Sequence, residues 1–399
     1  MLRIEVVRAR AGMRLALPVC NPRSPSHTLL KMGYELTDSV VERLKEYGVR
    51  SVWVRYPSLA YLERYVSQES VQLQNQVVGQ IAHTFQSLQG KANAKLPYDQ
   101  YTQALQEMVE HLASHPQSAV FLGDMAAYGD GMLRHSATVT YLTLLMGMKL
   151  EGYLVKERKH VNPARAKEVT NLGLGAMLHD VGVMQLPPDV RQRYDQEGDE
   201  GDAQWQDHPA LGFQLVRGHV DPSAATVVLN HHQRYDGSGY AGMNFPVLEE
   251  KRIHVFARLA AVADQFDRLA NPVNLPSQPT VWVLHALTSQ PLCQQFDPEA
   301  LRALLTVVPP YPPGSMVRLT DGRFAVCVDH HPEDPCRPTV QIIPEPTADL
   351  DDLPAGPSVD LSESPVQLAV AEHEGRDVRE LNFATPPLML GHGRQLAWT

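Results

Sequence analysis

Ala176-Met177-Leu178-His179-Asp180-Val181-Gly182 places an imidazole beside a carboxylate inside an apolar run. Aspartate is seldom fully buried without a partner, because desolvating an unpaired carboxylate costs several kcal/mol. The flanking Leu178 and Val181 argue against an exposed pair on a helix face. The run reads as an apolar helix carrying one neutral nitrogen and one anionic oxygen, and a carboxylate can bridge two cations where an imidazole cannot. His179 and Asp180 are therefore the candidate centre of a metal site.

Four further elements lie around this stretch. His135-Ser136 opens a helical pattern through Val139, Leu142 and Met146, which puts the imidazole on the buried stripe. Taken alone, His135 equally fits a core histidine bonded to a carbonyl. Gln206-Asp207-His208-Pro209 looks like a helix start, with Asp207 as N-cap and Pro209 in the first turn. His231-His232 closes the apolar run Ala225 to Leu229 and leads into Arg234-Tyr235-Asp236-Gly237-Ser238-Gly239-Tyr240, a loop whose glycines allow close approach of a ligand. Asp264 sits in a helix apolar almost all round, so it needs a cation or donors; Arg258 is the candidate partner if no metal is involved. Asp267 follows on the same face. Together these make an N/O donor set without thiols, suited to iron or manganese, with zinc also compatible.

Composition narrows the class. The chain has 399 residues, 35 basic and 45 acidic side chains and a formal charge of −10. That balance argues against binding a nucleic-acid polymer, which wants clustered Lys and Arg, but not against a small phosphate held through a metal. No run approaches the roughly 18 apolar residues of a membrane span, and Met1-Leu2-Arg3-Ile4-Glu5-Val6-Val7-Arg8 alternates like a strand rather than a signal peptide. Cytoplasm is the expected compartment. Cys20, Cys293, Cys327 and Cys336 are scattered and never form a C-x-x-C pair, so reduced thiols are expected.

The expected organisation has five parts. Residues 1–57 read as a small α/β module, with a helix from Thr37 to Tyr47 capped by Thr37 and stopped at Gly48. Residues 58–118 read as a helical connector. Its segment Leu59 to Leu88 carries Val77, Val78, Ile81, Phe85 and Leu88 at helical spacing and is a candidate homodimerisation element. Residues 119–310 form the helical catalytic domain, and 311–345 a β-hairpin module turning at Asp321-Gly322, with Thr339–Ile343 as a third strand. Residues 346–399 read as a loosely ordered tail rich in Pro, Asp, Glu and Ser. The fold class is mainly α: a helical core with a small N-terminal α/β module and a short C-terminal β module.

In this order the elements resemble the HD-GYP family, bacterial cyclic di-GMP phosphodiesterases of the HD superfamily. The resemblance runs through His135-Ser136, Leu178-His179-Asp180-Val181-Gly182, His208-Pro209, His231-His232 with Tyr235-Asp236-Gly237-Ser238-Gly239-Tyr240, and Val262-Ala263-Asp264. The Gly12-Met13 and Leu29–Thr37 stretches and Tyr311-Pro312-Pro313-Gly314-Ser315 extend it over about residues 1 to 345. It implies that His135, His179, Asp180 and Asp264 hold one metal. Asp180 would then bridge to a second metal on His208, His231 and His232. The glutamate that supports a third metal in some members is Gly131 here, so two ions, iron or manganese, are expected. The implied activity is hydrolysis of cyclic di-GMP to a linear product by a metal-bridged hydroxide, with His179 and Asp180 as the catalytic pair. Arg234, Asp236, Gly239, Tyr240 and Asp267 are the expected substrate contacts.

The departures fall on the substrate side. Val183 stands where the family has lysine, Thr138 where it has arginine, and Gly239-Tyr240-Ala241 where it has Gly-Tyr-Pro. Leu269-Ala270-Asn271-Pro272-Val273 replaces a basic Arg-Pro-Tyr-Arg stretch. Two alternatives therefore stand beside the phosphodiesterase: a catalytically weak nucleotide sensor or partner-docking protein, and a phosphohydrolase for another nucleotide.

Overall fold

The computed structural model describes residues 1–21, 24–65, 68–88, 96–118, 120, 131–198, 200–240, 246–344, 354 and 356–384. At the N-terminus, β1 (Leu2–Glu5) pairs antiparallel with β4 (Ser51–Val54), and β2 (Val19–Asn21) with β3 (Ser24–Leu30). Between them lies α1 (Asp38–Glu46), where Thr37 accepts from the Val40 amide and Gly48 takes the left-handed conformation at φ 78°, as the sequence predicts.

The segment expected as one helix from Leu59 is broken. Pro57–Arg64 is a 3-10 stretch, and α2 runs only over Gln68–Leu88. Its apolar stripe (Val77, Val78, Ile81, Leu88) is buried in a core shared with α3 (Tyr98–Ser114) and α4 (Gly131–Lys149). The face offered for dimerisation is thus already covered within the chain.

Helix α4 is the central pillar, buried on every side from His135 to Gly147. Around and after it come α5 (Glu151–Glu157), α6 (Pro163–Ala166), α7 (Thr170–Met177), α8 (Pro188–Glu197), α9 (His208–Val216), α10 (Pro222–Asn230), α11 (Val255–Ala270), α12 (Thr280–Thr288) and α13 (Pro298–Val307). Small residues set their spacing. A Cβ on Gly182 would stand 2.0 Å from the His208 carbonyl oxygen and 2.4 Å from the Gly212 amide. The glycine after the His-Asp pair is therefore what lets α9, bearing His208, close onto Asp180.

The C-terminal strands are β5 (Met316–Leu319), β6 (Phe324–Asp329), β7 (Thr339–Ile343), β8 (Ser358–Asp360), β9 (Val370–His373) and β10 (Arg376–Asp377). They form one antiparallel sheet in the order β10-β9-β5-β6-β7-β8. The 346–399 segment, expected as a loose tail, thus contributes three strands. Its polar composition hid them: Val359, Leu361 and Val378 stand singly among polar residues, and 368–371 is an apolar run of only four. These meet a core only once the strands pair. One face of β6 and β7, with Val326, Val328 and Ile343, completes the core of the N-terminal module. The N-terminal module and this sheet share that core. Among the described residues no helix is long and apolar enough to cross a membrane.

Candidate metal centre

The His179-Asp180 pair does not lie inside a helix as expected. Helix α7 stops at Met177, and the pair occupies the turn before a 3-10 stretch, Val181–Gln185. The turn lets the two side chains point into the space between α4, α9, α10 and α11.

Three histidines are oriented by one device. Nδ1 of His179 donates to Ala176 O (2.7 Å), that of His208 to Trp205 O (2.8 Å), and that of His231 to Val228 O (2.9 Å). In each case the carbonyl lies three residues back, so the ring is tied to its own turn and Nε2 is left with a free lone pair. His135 is held differently: its Nδ1 meets Asp267 Oδ2 at 2.8 Å, and its Nε2 lies 3.0 Å from Asp264 Oδ1.

The carboxylate of Asp180 joins two groups. Oδ1 lies 3.2 Å from His208 Nε2 and 3.5 Å from His231 Nε2. Oδ2 lies 3.3 Å from His179 Nε2 and 3.6 Å from His135 Nε2. His135, His179 and Asp180 therefore make one cluster, and Asp180, His208, His231 and His232 another. Asp264 sits beside both, with Oδ2 3.8 Å from His232 Nδ1.

Burial governs the protonation of these groups. It lowers His231 to about 4 and His232 well below the ordinary histidine value, so both are neutral. Burial alone would also lower His135, but the bonds to Asp264 and Asp267 outweigh it and push the ring up to about 9. Burial would raise Asp180, yet His179, His208 and His231 hold it well below the usual carboxylate range. Asp264 is likewise held down, against burial, by Arg268 and His135.

The donors fit a pair of divalent cations. Asp180 Oδ1, Asp264 Oδ2 and both ring nitrogens of His232 are buried with no hydrogen-bond partner among the described residues, a costly state unless a ligand completes it. Donor separations of 3.0 to 3.6 Å also match a coordination shell: bonds of about 2.1 Å imply edges of roughly 3.0 to 3.4 Å.

The expected substrate contacts divide. Tyr240 is at the site, its ring stacked on His232 with centroids 4.2 Å apart and its hydroxyl 3.5 Å from Glu200. Gly239 serves packing: a Cβ there would stand 2.5 Å from the His232 carbonyl oxygen. Arg234 is turned inward, donating to Gln265 (3.1 Å) and lying over the Phe296 ring. Asp236 accepts from the Ser238 amide and hydroxyl and shapes the turn. Asp267 is buried between His135 and Asn271, which makes it an orienting group for His135 rather than a substrate contact. Residues 241–245, including the Ala241 departure, lie outside the described residues. Two smaller expectations also change. Asp207 makes no side-chain cap, and Arg258 pairs with Glu157 and Asp297, both at 2.5 Å, instead of Asp264.

Sequence reasoning missed Arg268. Its Nε donates to Asp264 Oδ1 at 2.8 Å, and its Nη1 donates to Tyr194 OH at 2.6 Å and lies 2.7 Å from Glu200. The signal was the spacing of four between Asp264 and Arg268 on one helix face. Tyr194 itself stacks on Trp205 at 3.6 Å, and Trp205 backs His208.

The helical bundle brings imidazoles and carboxylates from separate elements to one buried point, and residues 146–287 match the model of the HD domain family. The match starts after His135, which the structure adds to the site. The relatives agree with the resemblance to HD-GYP proteins. The chain is 26% identical over 249 residues to the cyclic di-GMP phosphodiesterase PA4108 of Pseudomonas aeruginosa, covering 59% of this chain and 53% of that protein. It is 32% identical over 147 residues to the cyclic di-GMP phosphodiesterase response regulator RpfG of Xanthomonas campestris, covering 35% of this chain and 36% of that protein. The matches thus span about half of the first relative and about a third of the second. Among solved structures, Bd1817, an HDG"Y"P protein of Bdellovibrio bacteriovorus, aligns with a TM-score of 0.43 and 18% identity over 76% of this chain and 97% of that one.

Proposed function

We propose that the chain is a metal-dependent phosphodiesterase that hydrolyses cyclic di-GMP to a linear product. The observation that carries this reading is Asp180, whose two oxygens reach two separate histidine clusters. His135, His179, Asp180 and Asp264 would hold one cation, and Asp180, His208, His231 and His232 the other. The N/O donors suit iron or manganese. When bound, two such ions polarise phosphate oxygens and lower the pKa of a water between them.

The protein's own contributions are positional. Backbone carbonyls hold three rings with Nε2 aimed inward, and Asp267 does the same for His135. Tyr240 stacks on His232 beside the cluster, and its other face could take a base. The names of both relatives supply the substrate. A sensor reading draws support from Arg234, which is turned away from the site and leaves the loop without a substrate-facing arginine.

Incubating manganese- or iron-loaded protein with cyclic di-GMP tests the proposal. Linear dinucleotide should accumulate well above a His179→Ala/Asp180→Ala control. Tight binding without product would replace the enzyme by the sensor.

A further inference from the structure

We infer that Arg268 is the cation that contacts the substrate phosphate in this site, delivered from helix α11; this rests on the phosphodiesterase reading above. Its side chain is nine-tenths buried, with only 10% exposed. Three of its contacts fix it in place: Nε on Asp264, and Nη1 beside Tyr194 and Glu200. The remaining nitrogen, Nη2, is buried with no hydrogen-bond partner among the described residues and lies 3.7 Å from Asp180 Oδ2. A guanidinium held on one edge with its other donor aimed at the donor cluster is preorganised to meet an anion there.

The arginine does not displace the ligand oxygens. It takes Oδ1 of Asp264 and leaves Oδ2 free, and it leaves Oδ1 of Asp180 free. Charge supports the same role. Asp180, Asp264, Asp267 and Glu200 bring four negative charges and Arg268 one positive charge. Two divalent cations would leave a net charge of about one positive unit, which a phosphodiester monoanion cancels. Val183, at the position of the family's lysine, packs instead with Leu186, Val190 and Trp205 and contributes no charge.

The test uses the full chain loaded with manganese, as wild type, Arg268→Gln and Arg268→Lys. Each is titrated with inorganic phosphate by calorimetry, with manganese counted on the same samples. All three should hold the same manganese. Arg268→Gln, which can still donate to Asp264, should bind phosphate at least about tenfold more weakly. Arg268→Lys should recover part of that loss and keeps the test decisive should the glutamine variant fail to fold. Unchanged phosphate affinity in both variants would overturn the inference. So would a loss of manganese in either, which would make the arginine a positioning residue for Asp264. Turnover of cyclic di-GMP is read separately: a wild type that binds phosphate through Arg268 but leaves cyclic di-GMP intact ends the phosphodiesterase reading alone.

Discussion

Helix α11 carries two arginines whose side chains turn inward, and their surroundings differ in kind. Arg258, toward the N-terminal end, meets Glu157 and Asp297 and also donates to the Tyr153 hydroxyl at 2.6 Å. Asp297 further caps α13 through the Glu299 amide, and Glu157 also pairs with Lys251. Only Nε of Arg258 lacks a partner in that group. Arg268 lies almost three turns on, in a cluster where two aspartate oxygens, both nitrogens of His232 and Nη2 are left over. A closed network holds helices together. An open one largely shielded from solvent costs stability and persists where a ligand completes it.

The strongest way to break that contrast is to remove the bridging carboxylate. Asp180→Ala should lower turnover of cyclic di-GMP by at least about a thousandfold, with bound metal per chain falling from about two in an elemental analysis of anaerobically purified protein. Retention of both ions would sink the two-cluster assignment. Arg258→Met addresses the closed network. It leaves Asp297 without a counter-charge and Glu157 with Lys251 alone. The change should cost roughly 3 to 5 kcal/mol in a denaturant titration, while the folded fraction keeps its full metal content.

Asp267→Asn sharpens the comparison further. Losing the carboxylate behind His135 should weaken metal affinity about 10- to 100-fold in a competition assay. An unaltered affinity would remove Asp267 from the orienting role.

The smallest effect concerns the start of the same helix. His254 accepts the Phe256 amide at Nδ1 and is lowered to about 4, by burial first and then by Arg158 and Arg258, with Asp221 opposing. The folded value lies below that of the unfolded chain, so the unfolded chain takes up the proton first. Stability is full above about pH 6.5 and declines as pH falls toward 4, by roughly 1 to 2 kcal/mol at pH 5. His254→Asn, which caps without titrating there, should flatten that decline in denaturation curves at pH 7.5 and pH 5. Equal slopes for the two proteins would show that another group carries the acid sensitivity.

The residues that converge were legible, because histidines and aspartates in apolar runs are chemically expensive wherever they fall. His135, His179, His208, His231, His232, Asp180 and Asp264 all meet within one space. Side-chain direction was less legible. Arg234 and Asp236 looked like substrate contacts because they sit beside glycines, but one points into the core and the other shapes a turn. Arg268 was overlooked in favour of Arg258, although both lie on the helix of Asp264. Spacing favours Arg268, four residues after Asp264, over Arg258, six before it. What spacing does not show is that Glu157 and Asp297, from other elements, claim Arg258.

The sequence by itself determined the donor types, their order along the chain, the helices of the core and the strands from Met316 to Ile343. Those depend on local periodicity and on the cost of burying charge, which are written residue by residue. Only the tertiary structure decided that the His-Asp pair sits in a turn rather than a helix. It alone showed Gly182 admitting α9, the strands after residue 357 joining the sheet, and Arg268 rather than Arg258 entering the site. Each of these depends on which surfaces meet at a distance, and a single chain of letters does not state that.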